Sequence, residues 1–245
     1  MKTYKLFVGM MLCFCAMNIV TVLAQSGDQI LDGIGETELI ARYPLKKDVK
    51  DWSRNNLHGS MMGTDFKFVE DSLFESVLSL SGESEAYISL PGELVSGEES
   101  LTITGWIYLR SAKGGQTFFD FGKSNKSHLF VVPMGINGKD GFQTQVLFSD
   151  HAYGSGSAAL SVNKWIHLGI VVNIPSKTLS TYVNGVLVNE SKNMELELGK
   201  LFNSNSAKNN KLYIGKSLDA NGAFLNAKLY DFRIYRIPLN ERQIL

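Results

Sequence analysis

Thr178-Leu179-Ser180-Thr181-Tyr182-Val183-Asn184-Gly185-Val186-Leu187-Val188-Asn189 is the stretch that decides the class of fold. Alternating residues run up to Asn184-Gly185 and a second β-prone run leaves it. Asn-Gly tolerates a positive φ at both central positions of a type I′ turn, the turn whose twist matches paired strands, so a hairpin is predicted here. Outward from it, short apolar runs recur between clusters of Gly, Asn, Ser and Lys. They are Leu39–Tyr43, Val77–Leu80, Ala86–Leu90, Leu101–Leu109, Thr117–Phe121, Leu129–Met134, Phe142–Phe148, Ile166–Asn173, Leu212–Gly215 and Ala227–Tyr235. Their lengths and their content of Val, Ile, Thr, Phe and Tyr are those of strands. After residue 24 no long 3.6-residue period appears. One helical turn is expected, over Pro238–Leu245, with Pro at its start, where a missing N–H does no harm. With no crossover helices available, the sheets must be antiparallel and stacked as a sandwich.

The chain has 245 residues, 44% of them hydrophobic and 20% charged, which suits one large all-β or α/β domain or two small ones and excludes a disordered or collagen-like chain. Lys and Arg number 24 and Asp and Glu 24, so the cationic surplus that phosphate backbones demand is missing and nucleic acid is not an expected partner. Residues 1–24 read as a secretory signal. Lys2 and Lys5 form the basic start, Leu6–Val20 is almost unbroken apolar sequence, and Val22-Leu23-Ala24 ends on a small residue. That run is shorter than the roughly 20 residues that span a bilayer, and no basic flank follows it, so no membrane span is expected. Both cysteines, Cys13 and Cys15, fall inside the signal, which leaves the exported chain to be held by its core. Residues 25–37 are a polar leader, and 38–245 form the domain.

Three segments carry a resemblance. Asp51-Trp52-Ser53-Arg54-Asn55-Asn56-Leu57-His58-Gly59 resembles the Asp-x-Ser-Gly-Asn-x-x-His-Gly turn of laminin G-like domains in the concanavalin A-like lectin/glucanase superfamily. It departs from that turn at Arg54, where Gly is usual. Leu101–Ile107, followed by Asn163–Leu168 and Thr181–Gly185, looks like that family's central strands. Ala227–Arg236 with Leu239–Ile244 is similar to its closing strand and short terminal helix. The resemblance implies an all-β fold, a two-sheet antiparallel jelly-roll sandwich (concanavalin A-like, laminin G-like) with a short C-terminal helix, its first and last strands adjacent. Within the last segment, alternation places Tyr230, Phe232 and Ile234 on one face and Asp231, Arg233 and Tyr235 on the other.

Catalytic residues are not apparent. Glucanases of this superfamily place carboxylates in a Glu-x-Asp-x-x-Glu array on one strand, because glycoside hydrolysis needs two carboxyl groups across one bond. No strand candidate has it; Glu83, Glu85, Glu98, Glu99, Glu195 and Glu197 sit in turns or flanks, where solvated charges need no further account. His58, His128, His151 and His167 show no metal-ligand spacing; His58 belongs to the turn, His128 opens a strand, His167 lies within one and His151 is a loop residue. Tyr153-Gly154-Ser155-Gly156-Ser157 lacks the helix or Lys of a phosphate loop and reads as a flexible loop.

Two ligands are expected. By the resemblance, calcium would be held as a structural ion by Asp51, Asn55 and Asp231, with the His58 carbonyl as a fourth donor; the alternative is that Asp51 and Asn55 only brace a turn. Carbohydrate is the second. Thr102, Thr104, Trp106 and Tyr108 share one strand face, with the aromatic surface and hydroxyls of a sugar platform, unless Trp106 is core. Gln143, Gln145 and the loop residues Asp150, His151 and Tyr153 would add polar contacts.

The function expected is a secreted, non-catalytic carbohydrate-binding module, periplasmic or at the cell surface, that assists polysaccharide degradation or is linked to a glycoside hydrolase. Its partners would be polysaccharides or oligosaccharides. The alternatives are a protein–protein adhesion domain and a glycoside hydrolase with an unrecognised carboxylate pair. Mass spectrometry of the exported protein should find Gln25 as its first residue; retention of residues 1–24 would overturn the signal assignment.

Overall fold

The computed structural model describes residues 38–83, 85–136, 141–149, 151–203 and 205–244. The expected signal and leader, residues 1–37, lie outside them. The strands are β1 (Leu39–Tyr43), β2 (Ser60–Met62), β3 (Phe66–Asp71), β4 (Glu75–Ser81), β5 (Tyr87–Leu90), β6 (Ser100–Leu109), β7 (Phe119–Ser124) and β8 (Ser127–Val132). They continue as β9 (Phe142–Phe148), β10 (His151–Ser157), β11 (Trp165–Asn173), β12 (Thr178–Val183), β13 (Val186–Ser191), β14 (Lys211–Ile214) and β15 (Asn226–Tyr235). One short helix, α1, spans Leu198–Leu201.

The strands form two antiparallel sheets. The eight-stranded sheet runs β13-β12-β11-β6-β15-β4-β3, with β1 also paired to β15; the seven-stranded sheet runs β10-β9-β8-β7-β14-β5-β2. This is the expected sandwich, with the first and last strands paired through Arg42↔Arg233 and Tyr43↔Phe232. The core lies between the layers. Alternate residues such as Leu101, Ile103, Ile107 and Leu109 of β6 and Phe119 and Phe121 of β7 are fully buried there. The predicted hairpin is β12–β13, with φ of 50° at Asn184 and 77° at Gly185.

The alternation expected for Ala227–Tyr235 does not hold. Along β15 the pairing with β6 jumps from Tyr230↔Trp106 to Arg233↔Thr104, so Asp231 and Phe232 together oppose Gly105. Asp231 has a φ of 48°, and this bulge shifts the face by one residue. Tyr230 points away from the core, while Phe232 and Ile234 point into it. Gly105 makes room for the bulge: a Cβ there would sit 3.1 Å from both the Phe118 and Phe232 rings.

One other expectation is corrected. Tyr153–Ser157 is not a loop but part of β10, paired along its length with β9. A Gly-rich segment has low strand propensity by itself, and here the ladder to β9 supplies what propensity lacks. The helical turn expected within Pro238–Leu245 is a 3-10 helix, Glu241–Gln243. Its cap is Asn240, whose side chain accepts from the Arg242 N–H, while Gln243 reaches back to the Asn240 N–H. Gly105→Ala should lower stability by about 1–3 kcal/mol through overpacking against the two rings. Urea unfolding would read it, and an unchanged midpoint would mean the bulge is not tightly seated.

Candidate functional site

The outer face of the eight-stranded sheet carries Trp106 and Tyr108, and the chain itself covers it. The turn between β3 and β4 folds back so that Phe74 stacks on Tyr230 (centroids 4.1 Å apart) and meets Trp106 at 5.3 Å and Trp165 at 5.0 Å. Asp71 fixes that turn by accepting from Trp165 Nε1 at 3.2 Å and from Lys228 Nζ at 2.8 Å. Farther along the same face, Thr102 Oγ1 donates to the Ile237 carbonyl and accepts from the Leu239 N–H. That brings Leu239 and Ile244 down onto Leu39, Val171 and Tyr235. The aromatic platform expected at Trp106 is therefore packed beneath Phe74.

The set expected to hold calcium is spent on other bonds. Asp51 is buried, and its two oxygens accept from the backbone N–H groups of Arg42, Ser53 and Leu57 and from Ser53 Oγ, at 2.7–2.9 Å. Asn55 turns its amide N–H₂ to the carbonyls of Leu39 and Ile40. His58 Nδ1 accepts from the Asp51 N–H at 3.1 Å. Asp231 lies between two guanidinium groups, Arg42 at 2.8 Å and Arg233 at 2.7 Å. Burial would raise its carboxyl, but the charge and hydrogen bonds of Arg233, with those of Arg42, outweigh it and hold the group below the usual carboxylate range. In this arrangement Asp51, Asn55 and Asp231 brace the β1 turn and the β15 bulge.

The outer face of the seven-stranded sheet is different. Tyr213 of β14, Asp120 of β7, Phe130 of β8, Gln145 of β9 and Gly154 of β10 are successive register partners and form one row across it. Beside the row lies a hollow of about 280 Å³, lined in part by His128, Phe130, Leu147, Ser217 and Asp219. Asp120 is fully buried, and one of its oxygens lies 2.6 Å from His128 Nδ1. Its other oxygen accepts from Ser217 Oγ at 3.1 Å and the Leu218 N–H at 2.7 Å, which ties the loop after β14 to the sheet. The His128 ring is 4% exposed and stacks on Phe130 at 4.5 Å. Its Nε2 is buried without a hydrogen-bond partner, and so is Gln143 Oε1 on the same face. A carboxylate can only accept, so the network places a proton on Nδ1 and leaves Nε2 without a partner.

Of the residues expected to contact sugar, Gln145 is on this face beside Phe130. His151 and Tyr153 lie on β10, not in a loop, opposite Phe148 and Val146, so they point to the other side of the sheet; the Tyr153 ring packs against the core. Trp106 belongs to the other layer, and Asp150 lies outside the described residues. Sequence reasoning read His128 as the first residue of a strand and missed Asp120 altogether. After His128 the strand reads Leu-Phe-Val-Val, with no polar alternation to mark which face looks outward.

Residues 81–245 match the family model described as the concanavalin A-like lectin/glucanases superfamily, laminin G-like. The chain belongs to this superfamily. The match is narrower than residues 38–245, yet β1, β3 and β4 share one sheet with β15. No curated protein matches the sequence. Among solved structures, the superfamily domain is similar to domain 4 of AbnA, a GH43 extracellular arabinanase from Geobacillus stearothermophilus, in complex with arabinotriose. The TM-score is 0.68 at 22% identity, over 84% of this chain and 96% of that one. It is also similar to botulinum neurotoxin type C, whose cell entry depends on interaction with two ganglioside molecules (TM-score 0.62, 20% identity, 85% of this chain and 50% of that one). A third is the Trypanosoma rangeli sialidase in complex with a difluoro-KDN ligand (TM-score 0.60, 13% identity, 84% and 32%). At these identities the likeness is one of fold.

The covered face has its own pH signature. His167 is paired in register with Trp106, and its Nδ1 is buried without a partner. Burial, then the charge of Arg233, lowers its pKa to about 4 against a smaller opposing effect of Asp231. The unfolded chain protonates this group near the ordinary value of about 6.5, so stability present at neutral pH is lost as the pH falls through that window. Between pH 7 and pH 5 the loss should be about 2 kcal/mol, and His167→Phe should remove most of that slope in paired urea titrations.

Proposed function

We propose that this chain is an exported, non-catalytic carbohydrate-binding module that takes an oligosaccharide on the outer face of its seven-stranded sheet, in the service of polysaccharide degradation. The observation that carries this reading is the unpartnered Nε2 of His128, a ring held by Asp120 beside a hollow walled by Phe130. A buried polar atom without a partner costs about 1–3 kcal/mol, and a sugar hydroxyl can both donate and accept. Phe130 offers an aromatic surface for the C–H side of a ring, and Gln145 offers both donor and acceptor. The arabinotriose complex of the arabinanase domain and the ganglioside dependence of the neurotoxin support the same class of ligand.

The reading is non-catalytic because hydrolysis needs two carboxyl groups free to act. Among the described residues, the acids lining or underlying the hollow are Asp120, committed to His128, Ser217 and Leu218, and Asp219. One observation favours a second reading, a protein–protein adhesion domain: β13 is a sheet edge, and Val186, Leu187 and Val188 on it are 60%, 43% and 39% exposed.

A glycan array with residues 25–245, followed by calorimetry on the ligands it finds, tests the first reading. His128→Asn keeps an N–H for Asp120 but puts no atom at Nε2, and it should weaken binding tenfold or more. Gln145→Ala should weaken it several-fold, and both variants should melt within a few degrees of the parent. An array without any glycan ligand, or undiminished affinity in both variants, would overturn it.

A further inference from the structure

On the same face, β14 ends at Ile214, and the φ of 88° at the next residue, Gly215, turns the chain so that Lys216 lies back over a group of aromatic rings. Lys216 Nζ stands 4.5 Å from the ring centroid of Tyr87, 5.4 Å from that of Tyr213 and 5.8 Å from that of Phe224. The Tyr87 and Tyr213 rings meet edge to face at 5.1 Å. Ring faces attract the ammonium and fix its position, but they do not cancel its charge. No carboxylate pairs with Lys216 among the described residues. The ammonium thus keeps N–H donors for a partner while its stem and one side are shielded from water.

Its place relative to the hollow gives the arrangement a use. Tyr213 is the register partner of Asp120, and Asp120 that of Phe130, so the Tyr213 ring and the Phe130 ring are two strand spacings apart, about 10 Å, on one face. Ser217, the residue after Lys216, lines the hollow and bonds Asp120. On the other side of Tyr213 a second hollow is lined by Lys208 and Lys211, with Glu93 as the acid opposing them. An oligosaccharide seated at His128 and extended across the strands would therefore meet an ordered, unanswered cation over aromatic rings.

We infer that the glycan taken by this face is anionic, its carboxylate or sulfate group held by Lys216 above Tyr87, Tyr213 and Phe224. This rests on the proposed carbohydrate-binding function and adds the class of glycan. A charge-assisted hydrogen bond to a fixed ammonium is about twice as strong as a neutral one, whereas a neutral sugar would leave that ammonium to water. The preference should also weaken with added salt, because the pair is partly exposed.

Calorimetry on the intact domain at low salt decides it with three probes: an oligogalacturonate, a sulfated galactan oligosaccharide and a neutral galacto-oligosaccharide. One of the two anionic probes should bind at least tenfold tighter than the neutral one, and which one it is identifies the anion. Lys216→Met keeps an unbranched stem on the rings without the charge and should abolish that preference, while Lys216→Arg should keep most of it. Equal or better binding of the neutral probe, or a preference unchanged in Lys216→Met, would overturn the inference and leave glycan binding standing. If neither anionic probe binds, the inference fails, and the neutral probe then decides whether the proposed function fails with it.

Discussion

The sandwich depends on one clasp, the Asp231 carboxylate between Arg42 of the first strand and Arg233 of the last. It holds a bulge that lets β15 change face midway, sending Ala227 and Leu229 into the core before it and Phe232 and Ile234 after it. Without that shift, a ten-residue strand in strict alternation would turn Phe232 and Ile234 toward the solvent side. The Asp231 N–H donates to the Pro44 carbonyl, so the bulge is also tied to the segment leaving β1. Closure of the eight-stranded sheet and the filling of its core are thus one event. A carboxylate with two guanidinium partners is costly to leave half-made, since loss of one partner strands a buried charge.

The two outer faces follow different rules as a result. On the eight-stranded sheet, the chain returns to cover its own aromatic residues, with Phe74 at one end and Leu239 and Ile244 at the other. On the seven-stranded sheet, the loop after β14 is pinned at its base by Asp120 and stands beside the hollow without filling it. Each face keeps a buried polar atom without a partner, His167 Nδ1 under the covered one and His128 Nε2 and Gln143 Oε1 on the other, but only on the seven-stranded sheet does an open hollow lie beside it. That hollow is the physical reason to look for a ligand on this layer.

Much of the framework was legible because half-buried strands write themselves in alternation, and Asn184-Gly185 specifies its turn locally. The bulge was not, because Asp231 is an uncommon residue at positive φ and only the neighbouring strands hold it there. β10 was hidden by its glycines, since its order comes from β9. In the site, Gln145 was found by its place on a strand with an outward face. Whether Trp106 was platform or packing could not be read from its strand alone, because Phe74, which packs on it, arrives from a turn thirty-two positions earlier in the chain. Asp120 and His128 escaped notice because they sit on different strands, and their spacing means nothing until β7 and β8 pair.

The row across β14, β7, β8 and β9 separates the duties of neighbouring residues. Phe119, Phe121, Leu129 and Val131 secure the interior, while Asp120, Phe130 and Gln145, one position away, look outward. Substitutions at the half-buried Gln145 should come at little expense to folding, whereas loss of the buried Phe130 would open a gap beside His128 and a change at Asp120 would loosen the loop and the histidine together. The scaffold can therefore keep its fold while outward side chains change, provided that single buried carboxylate is kept.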